Sequence, residues 1–219
     1  MPNKAGAVCV LVSGGLDSAV LVHYMAARHK FVHPVYVKSG LAWETEEVAM
    51  LQGFLAKRPA NVKPLSVLQM PMSDIYKSHW SVTGKGTPDY DSPDEEMEIP
   101  GRNIVLLSKA SVYCAINKVG IIAMGSLGGN PFPDATPAFF KSMGSALGRG
   151  LGSPITVVAP FRGMTKVEVI KLGKDLPLEK TMSCVQPKGQ AHCGRCNKCA
   201  ERRHAFADAK VKDRTKYLA

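Results

Sequence analysis

The chain has 219 residues, 45% of them apolar and 21% charged, with a formal net charge of +10. That balance belongs to a globular protein with room for one sizeable core, and no apolar run approaches the roughly 18 residues of a bilayer span. The opening MPNKAGAV runs into a strand-like stretch without a small-residue cleavage pattern, so the expectation is a cytoplasmic protein with no signal peptide and no membrane contact.

In chain order, Val8 to Val12 is a continuous β-branched run suited to a strand buried on both faces, and Asp17 to His29 follows with helical spacing. Val32 to Val37 predicts a second strand. Trp43 to Lys57 predicts a helix with Val48, Leu51 and Leu55 on one face and the acids Glu44, Glu46 and Glu47 in its first turn. Val62 to Gln69 predicts a third strand. DYDSPDEEMEIPG then places six acids and no base between Asp89 and Glu98, the composition of an exposed loop. PGRN opens a helix over Ile104 to Val119, Ile121 to Met124 forms a fourth strand ending at Gly125, and helices near 137–147 and 165–173 flank a short strand at Val157. The alternation predicts an α/β fold, a doubly wound parallel sheet covered on both faces, with ligands beyond the carboxyl ends of the strands. Those ends are Ser13 to Ser18, Lys38 to Trp43 and Gly125 to Asp134.

The stretch SGGLDS at 13–18 has neither the GxxxxGK[ST] nor the GxGxxG spacing. It supplies two glycines, two flanking hydroxyls and a helix start, which suit a multiply charged phosphate; an ordinary turn capped by Ser or Asp is the competing reading. Asp17 beside a phosphate requires an intervening cation, and Mg²⁺ meets that need.

Cys9 and Cys114 stand alone in apolar segments, whereas Cys184, Cys193, Cys196 and Cys199 fall in CVQPKGQAHCGRCNKC. Four thiolates complete a closed tetrahedral site, so the expectation is one structural zinc, with His192 and His204 as alternative ligands. Residues 162 to 219 hold 14 Lys or Arg against 6 Asp or Glu. Nucleic acid is one reading of that excess; neutralisation of an anionic zinc–thiolate centre by Lys188, Arg195, Lys198, Arg202 and Arg203 is another, and it weakens the first.

SGGLDS after an apolar strand resembles the SGGxDS loop of the ATP pyrophosphatases, which split ATP between its α- and β-phosphates and transfer AMP to a substrate oxygen. IPGRNIVLLSKAS, NPFPDATPAFF and the SC-x8-CGRCNKCAERRHAF cluster resemble segments of the 7-cyano-7-deazaguanine synthases, in the same order and at matching distances over nearly the whole chain. The resemblance implies an ATP pyrophosphatase domain over 1–180 with a small zinc-binding helical lobe over 181–219, packed as one unit. It implies an ATP-dependent carbon–nitrogen ligase that turns 7-carboxy-7-deazaguanine and ammonia into the nitrile for queuosine-type synthesis, with ATP as cosubstrate, Mg²⁺, and a homodimer without nucleic acid. The implied catalytic residues are Asp17, Ser18 and Arg102. The implied nucleotide contacts are Val12, Ser13, Gly14, Gly15, Leu16, Asp17, Ser18, Lys38, Gly40, Arg102, Asn103 and Gly125, with Asp134 a further polar candidate or a turn residue.

The likeness departs at two ligand-facing stretches. Leu41, Ala42 and Trp43 replace the family's Gln, Arg and His, although Gly40 and the acid at Glu46 fit; Thr136 and Ala138 replace Arg and Glu. Lys38 or Arg102 could supply the lost donors, and Trp43 could stack on a base or end a core helix. Two other functions therefore stay open: adenylation of a different carboxylate, protein terminus or modified nucleobase, and a tRNA-binding base- or sulfur-modifying protein.

Overall fold

The computed structural model describes residues 4–219. Five strands, β1 (Ala5–Leu11), β2 (His29–Lys38), β3 (Ser66–Gln69), β4 (Ile121–Ala123) and β5 (Thr156–Val158), form one sheet in the order β3-β2-β1-β4-β5. Every pairing in it is parallel. The crossover helices are α1 (Leu16–Ala26), α2 (Glu44–Leu55), α5 (Arg102–Ile116) and α6 (Pro137–Leu151); two single turns, α3 (Ser73–Tyr76) and α4 (Trp80–Thr83), precede the acidic loop, α7 (Lys166–Leu172) follows the last strand, and α8 (Asn197–Ala209) follows the cysteines. The doubly wound α/β prediction is met. Among the described residues no helix is long and apolar enough to cross a membrane.

The continuous apolar sequence of β1 serves two layers at once, because side chains alternate across a strand. Val8 and Val10 face a core shared with Leu21, Leu51, Phe161 and Ile170. Cys9 and Leu11 face the opposite core with Leu107, Cys114, Ile122 and Phe140, which makes the two lone cysteines packing residues. Helix α8 turns Ala205, Phe206 and Ala209 into the first of these cores, so the C-terminal segment shares the sheet's packing.

The third strand is shorter than the apolar run predicts. Val62 makes one bridge to Val32, Lys63 N–H donates to the Val32 carbonyl at 2.8 Å, and the ladder resumes only at Ser66 opposite Val35. Pro64, with no N–H to give, falls in the gap.

Strand order reverses between β1 and β4, where β1 leads to α1 and β4 leads out to the other side. Beyond that switch point lie the ends of both strands, and the open side is closed by the acidic loop and the cysteine segment.

Candidate active site and metal centre

A cavity of about 740 Å³ opens at the switch point. Ser13, Gly15, Leu16 and Asp17 form its floor, Gly125 and the 127–132 loop one wall, and Trp43, Glu47, Trp80 and Arg102 the facing wall.

The floor is a helix start without a side-chain cap. Gly15 is the N-cap of α1 and no side chain caps its N–H groups. The two hydroxyls are occupied locally: Ser18 Oγ accepts from Ser13 N–H at 3.1 Å and donates to the Gly15 carbonyl at 3.0 Å, while Ser13 Oγ accepts from Gly15 N–H at 3.3 Å. The serines therefore shape the loop, and the capped-turn alternative fails. What remains facing the cavity is an uncapped α1 N-terminus, the arrangement that attracts phosphate. Gly14 has φ +75°, and a Cβ on it would stand 3.1 Å from Glu47, so the loop and α2 meet only because that residue is glycine. Gly125 plays the same part for β4, since its missing Cβ would stand 3.2 Å from Ser18 N.

Asp17 is held by a cation that no motif in the sequence marks. Lys166 Nζ lies 2.5 Å from Asp17 Oδ2 and 3.2 Å from Glu201; Lys198 bridges Glu201 at 3.1 Å and Asp94 of the acidic loop at 2.9 Å. This chain of five charges runs from the glycine loop to the acidic loop along the cavity. Burial works to lower Lys166, but Asp17 and Glu201 more than offset it and hold the ammonium above its ordinary range. For Glu201 burial is outweighed by Lys166 and Lys198, which bring it down to about 2. Asp17 Oδ1 is buried without a partner, the kind of orphan that a bound cation satisfies. One signal could have exposed Lys166: it is the first residue of α7, directly after the Thr165 cap, where the helix dipole disfavours a cation.

Glu47 is the second residue missed. It lies on the buried side of α2, four residues before Leu51, and Tyr36 OH donates to its Oε2 at 2.5 Å. Burial pushes its pKa up to about 7 against the pull of Arg102. Trp43, expected either on a base or at a helix end, is buried and stacks on Trp80 with centroids 5.7 Å apart and planes 14° from parallel.

The remaining candidates divide. Arg102 lines the cavity, and its Nε is buried without a partner. Asn103 instead serves the start of α5: Asp134 accepts its backbone N–H at 2.8 Å and its side-chain amide at 3.0 Å, which gives Asp134 a structural post. Val12, Gly14, Ser18, Lys38, Gly40 and Asn103 are not among the lining residues. Gly40 and Ser39 donate their N–H groups to Glu44 at 3.0 and 2.5 Å, which fixes the loop after β2.

The four cysteines converge, with all sulfurs within 4.8 Å of one another and all buried. Separations of 3.5 Å for Cys196–Cys199 and 3.9 Å for Cys196–Cys184 and Cys193–Cys199 match the edges of about 3.8 Å that a tetrahedron of metal–sulfur bonds requires. Backbone N–H groups of Gln186 and Cys193 donate to Cys184 Sγ at 3.2 Å, and Arg195 N–H donates to Cys193 Sγ at 3.3 Å. These donors offset negative charge on thiolates, so the donor set fits a metal ion. His192 is committed elsewhere, its Nε2 accepting Ser183 N–H at 3.1 Å, and His204 packs edge-on against Tyr90. The basic residues do several jobs: Arg202 is buried on the Leu178 carbonyl, Thr181 and Ser183, while Lys198 serves the cavity.

The 7-cyano-7-deazaguanine synthase of Methanothrix thermoacetophila is 32% identical over 226 residues, covering 96% of this chain and 98% of its own. That of Brucella ovis is 33% identical over 223 residues, covering 95% and 92%. Among solved structures, the U34-tRNA thiolase NcsA of Methanococcus maripaludis with its [4Fe-4S] cluster superposes with a TM-score of 0.53 at 12% identity over 96% of this chain and 75% of that one. A 4-thiouridine synthetase–RNA complex with bound ATP gives 0.52 at 16% identity, over 94% and 52%. At those identities the two structures share the fold. The model of the family described as queuosine biosynthesis protein QueC matches residues 7–210, and the chain belongs to that family.

Proposed function

We propose that this chain is an ATP-dependent 7-cyano-7-deazaguanine synthase acting on 7-carboxy-7-deazaguanine and ammonia. The observation that carries the reading is the uncapped α1 N-terminus of SGGLDS, with Asp17 beside it, opening into a cavity that also has an aromatic and charged wall. Family membership and the synthase relatives supply the substrate class.

A carboxylate is a poor electrophile, and its conversion to an acyl adenylate gives ammonia a leaving group. The substrate oxygen attacks the α-phosphorus and pyrophosphate departs; ammonia displaces AMP and leaves the amide. A second ATP adenylates the amide oxygen, and loss of AMP with the nitrogen-bound protons gives the nitrile. The protein's share is position and charge. Leu16 and Asp17, in the uncapped first turn of α1, present backbone N–H groups to pyrophosphate, Ser13 and Ser18 keep that loop in shape, and Lys166 and Arg102 supply positive charge. Asp17 would hold Mg²⁺, whose contribution is to neutralise the triphosphate. The four cysteines would hold a structural zinc, since sulfurs within 4.8 Å suit one ion better than a four-iron cluster. The apolar stripe of Ile104, Val112 and Ile116 on the exposed side of α5 supports a homodimer, and the ordinary composition supports a cytoplasmic setting.

Incubation with Mg-ATP, ammonia and 7-carboxy-7-deazaguanine, followed by mass spectrometry, tests the reading: AMP and the nitrile are expected. AMP without nitrile would move the assignment to another carboxylate.

A further inference from the structure

Glu47 lines the cavity with no assigned task. It is buried, and its Oε2 already accepts the Tyr36 hydroxyl, so its side chain is tied to β2 as well as carried by α2. Trp43, one helical turn earlier, stacks on Trp80, and both rings line the same wall. Arg102 lines that wall from α5, with its Nε buried and unpartnered. A buried carboxylate, a half-buried guanidinium whose buried Nε is a spare donor and a flat aromatic platform on one wall form a recognition site, and the phosphate-binding floor has no use for a carboxylate there.

We propose that Glu47 is a specificity residue that reads the substrate's heterocycle, accepting the N1–H and 2-amino protons of a guanine-type ring laid on the Trp43–Trp80 platform, with Arg102 donating to the neighbouring ring carbonyl. The proposal rests on the synthase reading for the identity of the ring. The chemistry selects the ring on its own terms. A guanine-type edge offers two adjacent donors, which a carboxylate accepts side by side, followed by a carbonyl acceptor for the guanidinium. The adenine of ATP offers one donor next to an acceptor, so the same carboxylate would face a lone pair. One wall thus separates the two nitrogenous rings that must share the cavity.

The test compares binding of 7-carboxy-7-deazaguanine with its counterpart lacking the 2-amino group, by calorimetry on the full-length protein. Wild type should prefer the amino-bearing ring on the order of 100-fold, because the desamino ring leaves a buried carboxylate underused. In Glu47→Gln the amide can still accept the Tyr36 proton, but its N–H₂ opposes one ring donor, so the preference should fall to within a few-fold while Mg-ATP affinity is kept. Trp80→Leu should weaken both rings equally, by about 10-fold. Equal binding of the two rings by wild type, or an undiminished preference in Glu47→Gln, would overturn the proposal even if the nitrile is formed. A strong, Glu47-dependent preference without nitrile formation would uphold it and defeat the synthase reading instead.

Discussion

Two acids that line the cavity respond to pH in opposite ways. Glu201, between two lysines, is held at about 2, below its ordinary 4.5. Its ion pairs therefore contribute stability that is complete above pH 4.5 and is lost as pH falls toward 2. Since the side chain is 31% exposed, the contribution is about 1–2 kcal/mol after allowance for solvent screening. Glu47 is raised to about 7 from the same starting value, so its folded form prefers the proton: its stabilising share is present below pH 4.5 and is lost as pH rises through 7. Ionising it costs roughly 3 kcal/mol. Thermal melts across pH should show Glu201→Gln less stable than wild type at pH 7, with the deficit closing toward pH 2. Glu47→Gln should show the reverse, a gain that is largest above pH 7 and vanishes near pH 4; parallel curves would mean that neither environment is as described. Both residues were open to recognition in principle. Glu47 sits at helical spacing from Leu51 on an apolar face, while Glu201 becomes meaningful only through Lys166, 35 positions away, which no local pattern reveals.

At the scale of elements, period and composition located the five strands and the long helices, because each buries a face whose spacing is written in consecutive residues, but not all of their ends: β3 begins at Ser66 and not at Val62, and α1 stops at Ala26, with His29 of the predicted helix already in β2. They were insufficient where two elements touch. That the SGGLDS turn lies against Glu47 of α2, and that β4 ends against α1, depends on backbone atoms approaching where a side chain would intrude. Gly14→Ala should accordingly cost about 1–3 kcal/mol, since it adds a left-handed residue to a 3.1 Å approach against Glu47 Cβ and its carbonyl. Gly125→Ala, with an ordinary φ, should shift the α1 N-terminus by a few tenths of an ångström. Its signature is a raised KM for ATP with a smaller loss of thermal stability than Gly14→Ala. Equal stability losses would imply that the left-handed conformation of Gly14 carries no weight. The lid side was also partly legible: the acids of the 89–98 loop are exposed as composition indicated, yet its Met97 and Ile99 are buried against the cysteine segment, and Asn197 pins it by donating to the Ser92 carbonyl at 2.6 Å.

For the molecule as a whole, α8 joins the cysteine cluster to the glycine loop. Cys196 is its N-cap and Cys199 lies in its first turn; Lys198 and Glu201, from the same two turns, complete the charge chain that ends at Asp17. The cysteine segment is tied to the loop a second time, where Met182 N–H donates to the Gly14 carbonyl at 2.8 Å. A metal that supplies no ligand position to the cavity should therefore still control it. Without a cation, four crowded thiols must keep most of their protons: Cys184 is pushed up by its hydrogen bond to Cys196, and the first turn of α8 loses its anchor. Removal of the metal held by the four cysteines with a chelator should lower AMP formation in proportion to metal lost, whereas the remainder of α8, packed through Ala205, Phe206 and Ala209, keeps the far end of the helix in place. The partial nature of that loss separates two accounts. If the metal acts through α8, Glu201→Gln in the metal-loaded protein should reproduce much of the fall in rate, and chelation of that variant should add little. If chelation instead unfolds the whole chain, near-ultraviolet circular dichroism will collapse together with activity, and Glu201→Gln will not resemble the metal-free protein.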